Sequence, residues 1–421
     1  MPTLTTYTIG CKVNQYETEY LRQGLAQVGY RPAKKGEVVD LCIVNTCTVT
    51  SKADMKSRKA IRQFARRHPD AEIIVMGCYA TRAAEELASL PGVVRVVDDK
   101  QQLPSLLAEF GVKEIPDGIQ SFQRHRAHVK VQDGCKLECS YCIIPKCRPI
   151  LSSRPVDSVI SEVNCLVHSG HREIVLTGIH LGHYGIELPK NDRPDLAQLV
   201  RRVTDLEGEF RVRLSSLEAE EVSSKLIEII SERPDRVCPH LHLSMQSGSD
   251  SVLQRMRRRY CSKRFVQQCD LVKQALDAPS ITTDVIVGFP GETDSDFEET
   301  CRVVEEVGFS KIHIFRFSAR EGTPAATMPN QVPKLVQRQR AAELAKIERR
   351  LRKQYMESLV GRSLQVLVET RSKSQADRVS GTAGRYLPVE FAGNDSQIGT
   401  LASVRAERTG AGCIEALPSP S

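Results

Sequence analysis

From residue 4 to residue 317 the chain repeats one unit, a short β-branched run followed by a turn and an amphipathic stretch. That rhythm restricts it to α/β architectures with parallel strands and right-handed crossovers. Before residue 118 the strand candidates are Leu4–Ile9, Val38–Val44, Glu72–Met76 and Val93–Val97. Between about 122 and 330 there are six more: Ala127–Val131, Glu173–Thr177, Arg211–Leu214, Leu241–Met245, Ile281–Val287 and Lys311–Phe317. Helical patterns separate them, among them Val156–His168 and Asp294–Val307, the latter with Thr293 as N-cap. Six β/α units are too few to close an eight-stranded barrel, so an open, partial barrel is expected. A basic helix follows at about Lys334–Leu359. The short runs Leu364–Glu369, Leu387–Phe391 and Thr400–Arg405 then read as a small β-barrel, and the last residues, Pro418–Ser421, as frayed. The expected domains are thus 1–118, 121–356 and 359–421 of 421 residues.

Fourteen cysteines stand out in this frame. The start, Met1–Tyr7, has neither a charged nor an apolar leader pattern, and no apolar run is long enough to span a bilayer. Export and membrane insertion are therefore not expected. In such a chain cysteines point to metal or redox chemistry before disulfides. Cys135, Cys139 and Cys142 form a C-x3-C-x2-C run directly after the first strand of the middle region. Three thiolates on one short loop suit three corners of an iron–sulfur cube and leave a fourth iron open. Structural zinc, with Cys147 as fourth ligand, is the competing reading. Cys11, Cys47 and Cys78 each follow a strand candidate of the first region. Parallel strands end along one edge, so these three can converge there, with Gly10 and Gly77 allowing tight turns; three unrelated strand-end cysteines are the alternative. Cys42, Cys165, Cys238, Cys261, Cys269, Cys301 and Cys413 are read as ordinary small residues.

The run Cys135-Lys-Leu-Glu-Cys139-Ser-Tyr141-Cys142, at the end of a partial-barrel strand, resembles the signature of the radical S-adenosylmethionine (SAM) superfamily. Gly10-Cys11-Lys-Val-Asn14, Asn45-Thr-Cys47-Thr-Val49 and Gly77-Cys78-Tyr-Ala80 resemble the three N-terminal motifs of radical-SAM methylthiotransferases. Cys238-Pro-His-Leu-His-Leu-Ser244, Met256-Arg-Arg-Arg-Tyr260, Ile281–Thr293 and Gly322-Thr-Pro-Ala325 are similar to the MtaB-type branch, the tRNA threonylcarbamoyladenosine methylthiotransferases. The resemblance implies a radical-SAM (β/α)6 core and a TRAM-like RNA-binding tail. It also implies two [4Fe-4S] clusters, one held by Cys135, Cys139 and Cys142 and binding SAM, the other held by Cys11, Cys47 and Cys78 and carrying the sulfur. Tyr141, Ser215, Glu218, Gln246 and Gly288 are the candidate SAM contacts, the Gly288 turn by similarity to the SAM-cradling turn of these barrels. No catalytic group beyond the cluster ligands is expected.

The implied partners are the tRNA anticodon stem-loop and an electron donor such as a flavodoxin or ferredoxin, in the cytoplasm and without membrane contact. The net charge of +7 favours a polyanionic partner. The basic run Arg255–Arg259, the 334–359 helix, and Lys52, Lys56, Arg58, Lys59, Arg62, Arg66 and Arg67 supply a phosphate track. His180 and His183 are read as scaffold or substrate contacts. One departure stands out. Where the family has Pro-x-x-Arg-Gly-x-x-Arg-Ser-Arg, this chain has Pro149 for the Gly and Ser152 for the first Arg after it. The alternatives are methylthiolation of isopentenyladenosine tRNA or of a ribosomal protein, a zinc-bound RNA-binding protein, and a two-cluster electron carrier.

Overall fold

The computed structural model describes all residues except 190–192, 373–374, 376 and 420–421. Its first sheet contains β1 (Thr3–Thr8), β2 (Arg31–Pro32), β3 (Leu41–Thr46), β4 (Glu72–Gly77) and β5 (Val93–Val97), all parallel, in the order β2-β1-β3-β4-β5. β3 is central, and all six of its residues are buried. Leu41 and Ile43 face a core with Leu21, Leu25 and Leu107, while Cys42 and Val44 face one with Ile61, Val75 and Tyr79. A strand covered on both faces is written as a continuous apolar run, which is why this one is conspicuous in the sequence.

The middle region forms β6 (Arg126–Asp133), β7 (Ser152–Ser153), β8 (Glu173–Gly178), β9 (Arg211–Leu214), β10 (His240–His242), β11 (Ser280–Val287) and β12 (Lys311–Arg316). β6, β8 and β9 are parallel, as are β10, β11 and β12, and parallel bridges at Val212–Val237 and Leu217–Leu243 join the two groups. This is the expected six-unit partial barrel; the two-residue β7 adds only an antiparallel flap on β6. Val156–His168 and Asp294–Val307 are helices with the expected bounds, and Thr293 and Asp296 form a capping box at the start of the second.

The tail closes into a five-stranded barrel, β13 (Ser363–Arg371), β14 (Arg378–Ala383), β15 (Pro388–Ala392), β16 (Leu401–Thr409) and β17 (Ile414–Pro418), in the order β13-β14-β15-β17-β16. β14 and β17 are additions to the sequence reading. Pro418 belongs to β17 and the Ser419 amide bonds to the Ser403 carbonyl; the rest of the end read as frayed, Pro420 and Ser421, lies outside the described residues. The tail docks on the strand starts of the partial barrel. Buried Glu173 binds both Arg211 and Arg213, and these arginines donate to the carbonyls of Gln365, Thr382, Ala383 and Gly384. Tyr386 stacks on His240, with ring centroids 4.9 Å apart.

Candidate active site: two thiol trios at adjoining strand ends

In the first sheet Thr8 pairs with Asn45 and Thr46 with Gly77, so β1, β3 and β4 end level and deliver Cys11, Cys47 and Cys78 side by side. Glycine is needed at both turns. Gly10 has φ +118°, and a Cβ there would sit 3.0 Å from the Cβ of Cys47; Gly77 has φ +96°, and its Cβ would meet the Thr46 carbonyl at 2.3 Å. Asn14 staples the trio by donating to the carbonyls of Ile9 (2.9 Å) and Thr46 (3.0 Å), while its Oδ1 lies 3.6 Å from the Cys11 thiol. Burial pushes Cys47 up to about 11, reinforced by Cys78 and Cys11, while Cys11 itself stands at the solvent-exposed end of the trio.

The second trio sits on the loop after β6. The Cys142 amide donates to the Cys139 carbonyl (3.0 Å), curling the loop so that its thiols face inward. Arg258 donates to the Cys139 Sγ at 3.3 Å and pairs with Glu218, and His180 Nδ1 lies 3.8 Å from the Cys135 Sγ while its Nε2 meets Glu221. Burial pushes Cys142 up to about 12. Thiols so desolvated ionise only beside strong positive charge, which a metal cluster supplies. With cations placed at Cys139 and Cys78, the donor sets fit iron–sulfur ligation.

A cavity of about 180 Å³ borders this trio, walled by the ends of β8, β9 and β10. Tyr141, Glu218 and Gln246 line it, so three of the five candidate cofactor contacts meet the cysteines. Gln246 holds φ +65°, a left-handed conformation unusual for a side-chain-bearing residue. Ser215 and Gly288 are not in that lining. Among the described residues the buried Ser215 hydroxyl has no partner, and its neighbour Ser216 borders the cavity instead. Gly288 donates its amide to Glu292 at 3.0 Å and packs against Gln337. An adjoining cavity shares Tyr141, Cys142 and Gln246 and adds Val49 and Thr50 of the first domain.

The trios adjoin. Ile143, next to Cys142, and Cys147 both pack on Cys78, which places Cys147 against the first trio as well as beside the second. The link is Arg148, whose side chain is 1% exposed. It donates to Glu17 (2.7 and 2.8 Å), Asp133 (2.8 Å), Asn14 (3.1 Å) and the Cys78 Sγ. Lys130 joins Glu17 and Asp133, and both carboxyls are held low because Lys130 and Arg148 outweigh the cost of burial. A second clasp joins the first domain to the loop after β12, where Arg320 meets Asp54 (2.5 Å) and Thr48 (2.9 Å). Sequence reasoning missed Glu17, Asp133 and Arg320. Ser152, at a position of family arginine, is exposed on β7, whereas the family arginine kept as Arg148 is the buried link.

The basic run splits. Arg258 points inward to Cys139, Arg255 reaches the Gly291 carbonyl, and Arg257 and Arg259 are exposed. In the helix Ser51–Arg67, Lys52, Lys56, Lys59, Arg62, Arg66 and Arg67 are all exposed. His180 and His183 lie with ring centroids 3.8 Å apart, tilted by 36°, against Glu221.

Two family models match, "Uncharacterized protein family UPF0004" over residues 3–98 and "Radical SAM superfamily" over 129–304. The fold resembles the radical SAM methyltransferase TsrM of Kitasatospora setae, with TM-score 0.57 at 13% identity, covering 77% of each chain. Fold and site thus define a radical-SAM protein with an added N-terminal cysteine domain. The chain is 37% identical to the threonylcarbamoyladenosine tRNA methylthiotransferase MtaB of Bacillus subtilis over 97% of its length and 95% of that protein. It is 37% identical to the namesake from Thermotoga maritima, again over 97% and 95%. It is also 36% identical to a tRNA-2-methylthio-N(6)-dimethylallyladenosine synthase of Corynebacterium urealyticum, over 89% of this chain and 74% of that one. The chain belongs to the radical-SAM methylthiotransferase family, in its MtaB-type branch.

Proposed function

We propose that this protein transfers a methylthio group to C2 of threonylcarbamoyladenosine at position 37 of tRNA. The observation that carries this reading is the pair of thiol trios brought together across Arg148, one on the barrel mouth and one on the strand ends of the first sheet. Cys135, Cys139 and Cys142 hold the SAM-binding [4Fe-4S] cluster, and Cys11, Cys47 and Cys78 hold the second. When bound, these groups supply the reductively generated 5′-deoxyadenosyl radical and the sulfur. A radical is required because an aromatic C–H offers no acid–base or nucleophilic route.

The protein's own residues position and shield. Tyr141, Glu218 and Gln246 line the space for SAM beside the barrel trio, and Ile144, Ile179 and Leu217 supply its apolar patches. Arg258 and Arg148 place positive charge against a thiol of each trio. The helix Ser51–Arg67 starts where Ser51 meets Ser318 beyond β12, so its first exposed cations, Lys52 and Lys56, offer the anticodon stem-loop phosphate contacts near the mouth. No helix among the described residues is long and apolar enough to cross a membrane. The reading places the enzyme in the cytoplasm with a flavodoxin- or ferredoxin-type donor.

The test is an anaerobic assay of the reconstituted protein with stem-loop RNA bearing threonylcarbamoyladenosine or dimethylallyladenosine, digested and read by mass. A methylthio gain on the first substrate alone supports the reading. A gain only on the second assigns the chain to the other tRNA branch. Binding of zinc in place of about eight irons per chain would remove the radical mechanism altogether.

A further inference from the structure

We infer that the cavity lined by both domains at the barrel mouth takes the target adenine, and that Phe315 is the ring on which this base stacks. This deepens the activity proposed above, because it names the residue that presents the base to the two trios. The cavity holds about 180 Å³ and adjoins the one beside the barrel trio. Tyr141 and Cys142 line it from the barrel loop, and Val49 and Thr50, just beyond Cys47, line it from the first domain. A carbon that receives a radical attack from one trio and sulfur from the other has to stand within reach of both. Residues beside each trio border this one space.

Its walls suit a flat ring. Ile143, Ile144, Ile286 and Phe317 line it together with Phe315. Register sets Phe315 level with Ile286, one residue past Val285, which bridges Gln246, so Phe315 stands at the mouth end of β12. Phe315 is 44% exposed and Val49 is 50% exposed, so each domain brings an uncovered apolar residue to the same cavity. Phe317 packs edge-on against Phe289, whereas among the described residues no aromatic ring meets Phe315. Arg316, also in the lining, is exposed and among the described residues makes no hydrogen bond and no ion pair.

An open aromatic face beside an unengaged guanidinium is the combination that holds a nucleotide, base on ring and phosphate on cation. The remaining polar groups fit the same occupant. Asp284 is engaged with His242 at 3.4 Å and Ser318 with Ser51, but among the described residues the Gln246 side chain makes no hydrogen bond. Its amide is therefore available at the rim of an apolar slot, where a purine carries its donors and acceptors.

The experiment uses the reconstituted holoenzyme and two anticodon stem-loops of one sequence, with adenosine or an abasic site at position 37, and affinity read by fluorescence anisotropy. Wild type should bind the adenosine stem-loop about tenfold more tightly, as one stacked base allows. F315A should bind the two alike at wild-type iron content. F315L, apolar but without a ring face, should also lose the preference, and F315Y should keep it. A preference absent from wild type, or unchanged in F315A and F315L, overturns the proposal. Iron loss in F315A overturns it too, by making Phe315 a structural residue. If neither threonylcarbamoyladenosine nor dimethylallyladenosine gains a methylthio group in the mass assay, the proposed function fails instead, a result visible without any Phe315 variant.

Discussion

The Nε of Arg148 lies 3.4 Å from the Sγ of Cys78, and the same guanidinium forks onto both oxygens of Glu17. One side chain, six residues beyond the last cysteine of the barrel trio, thereby fixes where the other trio stands. R148A leaves Glu17 and Asp133 with Lys130 alone, and breaking such a buried pair costs about 3–5 kcal/mol. We expect iron to fall by about half and sulfur insertion to be lost, with 5′-deoxyadenosine still formed. R148K, which keeps the charge without the fork, should fall between. Iron analysis with product chromatography checks this; full iron and full sulfur insertion in R148A would refute it.

The two trios should do separable work. C78A is expected to cleave SAM without inserting sulfur, and C139A to lose cleavage. Anaerobic turnover with both products quantified decides it, and loss of cleavage in a folded C78A would end the division of labour.

Glu173, between Arg211 and Arg213, holds the tail to the core. Burial disfavours its charge, but Arg213 and Arg211 outweigh that and hold the carboxyl at about 2. Because the folded value is depressed, the stabilisation is complete above the ordinary carboxylate value of about 4.3 and is lost as pH falls toward about 2. E173Q should therefore be less stable at neutral pH by about 3–5 kcal/mol. Its urea midpoint should converge with that of wild type as pH drops from about 5 toward about 3. Parallel, unequal midpoints across that range would rule out this role.

Gly288 has φ +74°, and a Cβ there would stand 2.3 Å from the Gln337 Cγ. G288A should cost about 1–3 kcal/mol of stability through backbone strain and crowding, with SAM affinity unchanged once the protein is folded. Calorimetric titration of SAM alongside thermal melting separates this from a cofactor contact, which would show weakened binding without a lower Tm.

Much of the fold could be read from residues alone because its elements are locally written. Val93–Val97, Arg211–Leu214 and Asp294–Val307 carry their own period, caps or flanking turns. β10 is shorter than its apolar run: beyond His242 the pairing survives only as isolated bridges, Leu243 with Leu217 and Gln246 with Val285, and Gln246 bends into a left-handed backbone. β14, Arg-Val-Ser-Gly-Thr-Ala, has small inward residues and exists because its barrel partners supply the pairing. The cysteines were legible because strand ends placed them. The pairing of Arg148 with Glu17 was not, because a charge pair across 131 positions leaves no periodic trace.

The first domain is fastened on both banks of the gap in the partial barrel, by Arg148 and Lys130 beside β6 and by Arg320 beyond β12. A flap hinged on one side can swing; a lintel bolted at both jambs cannot. The spacing between the two trios is thereby set by the fold itself and does not depend on what arrives or leaves.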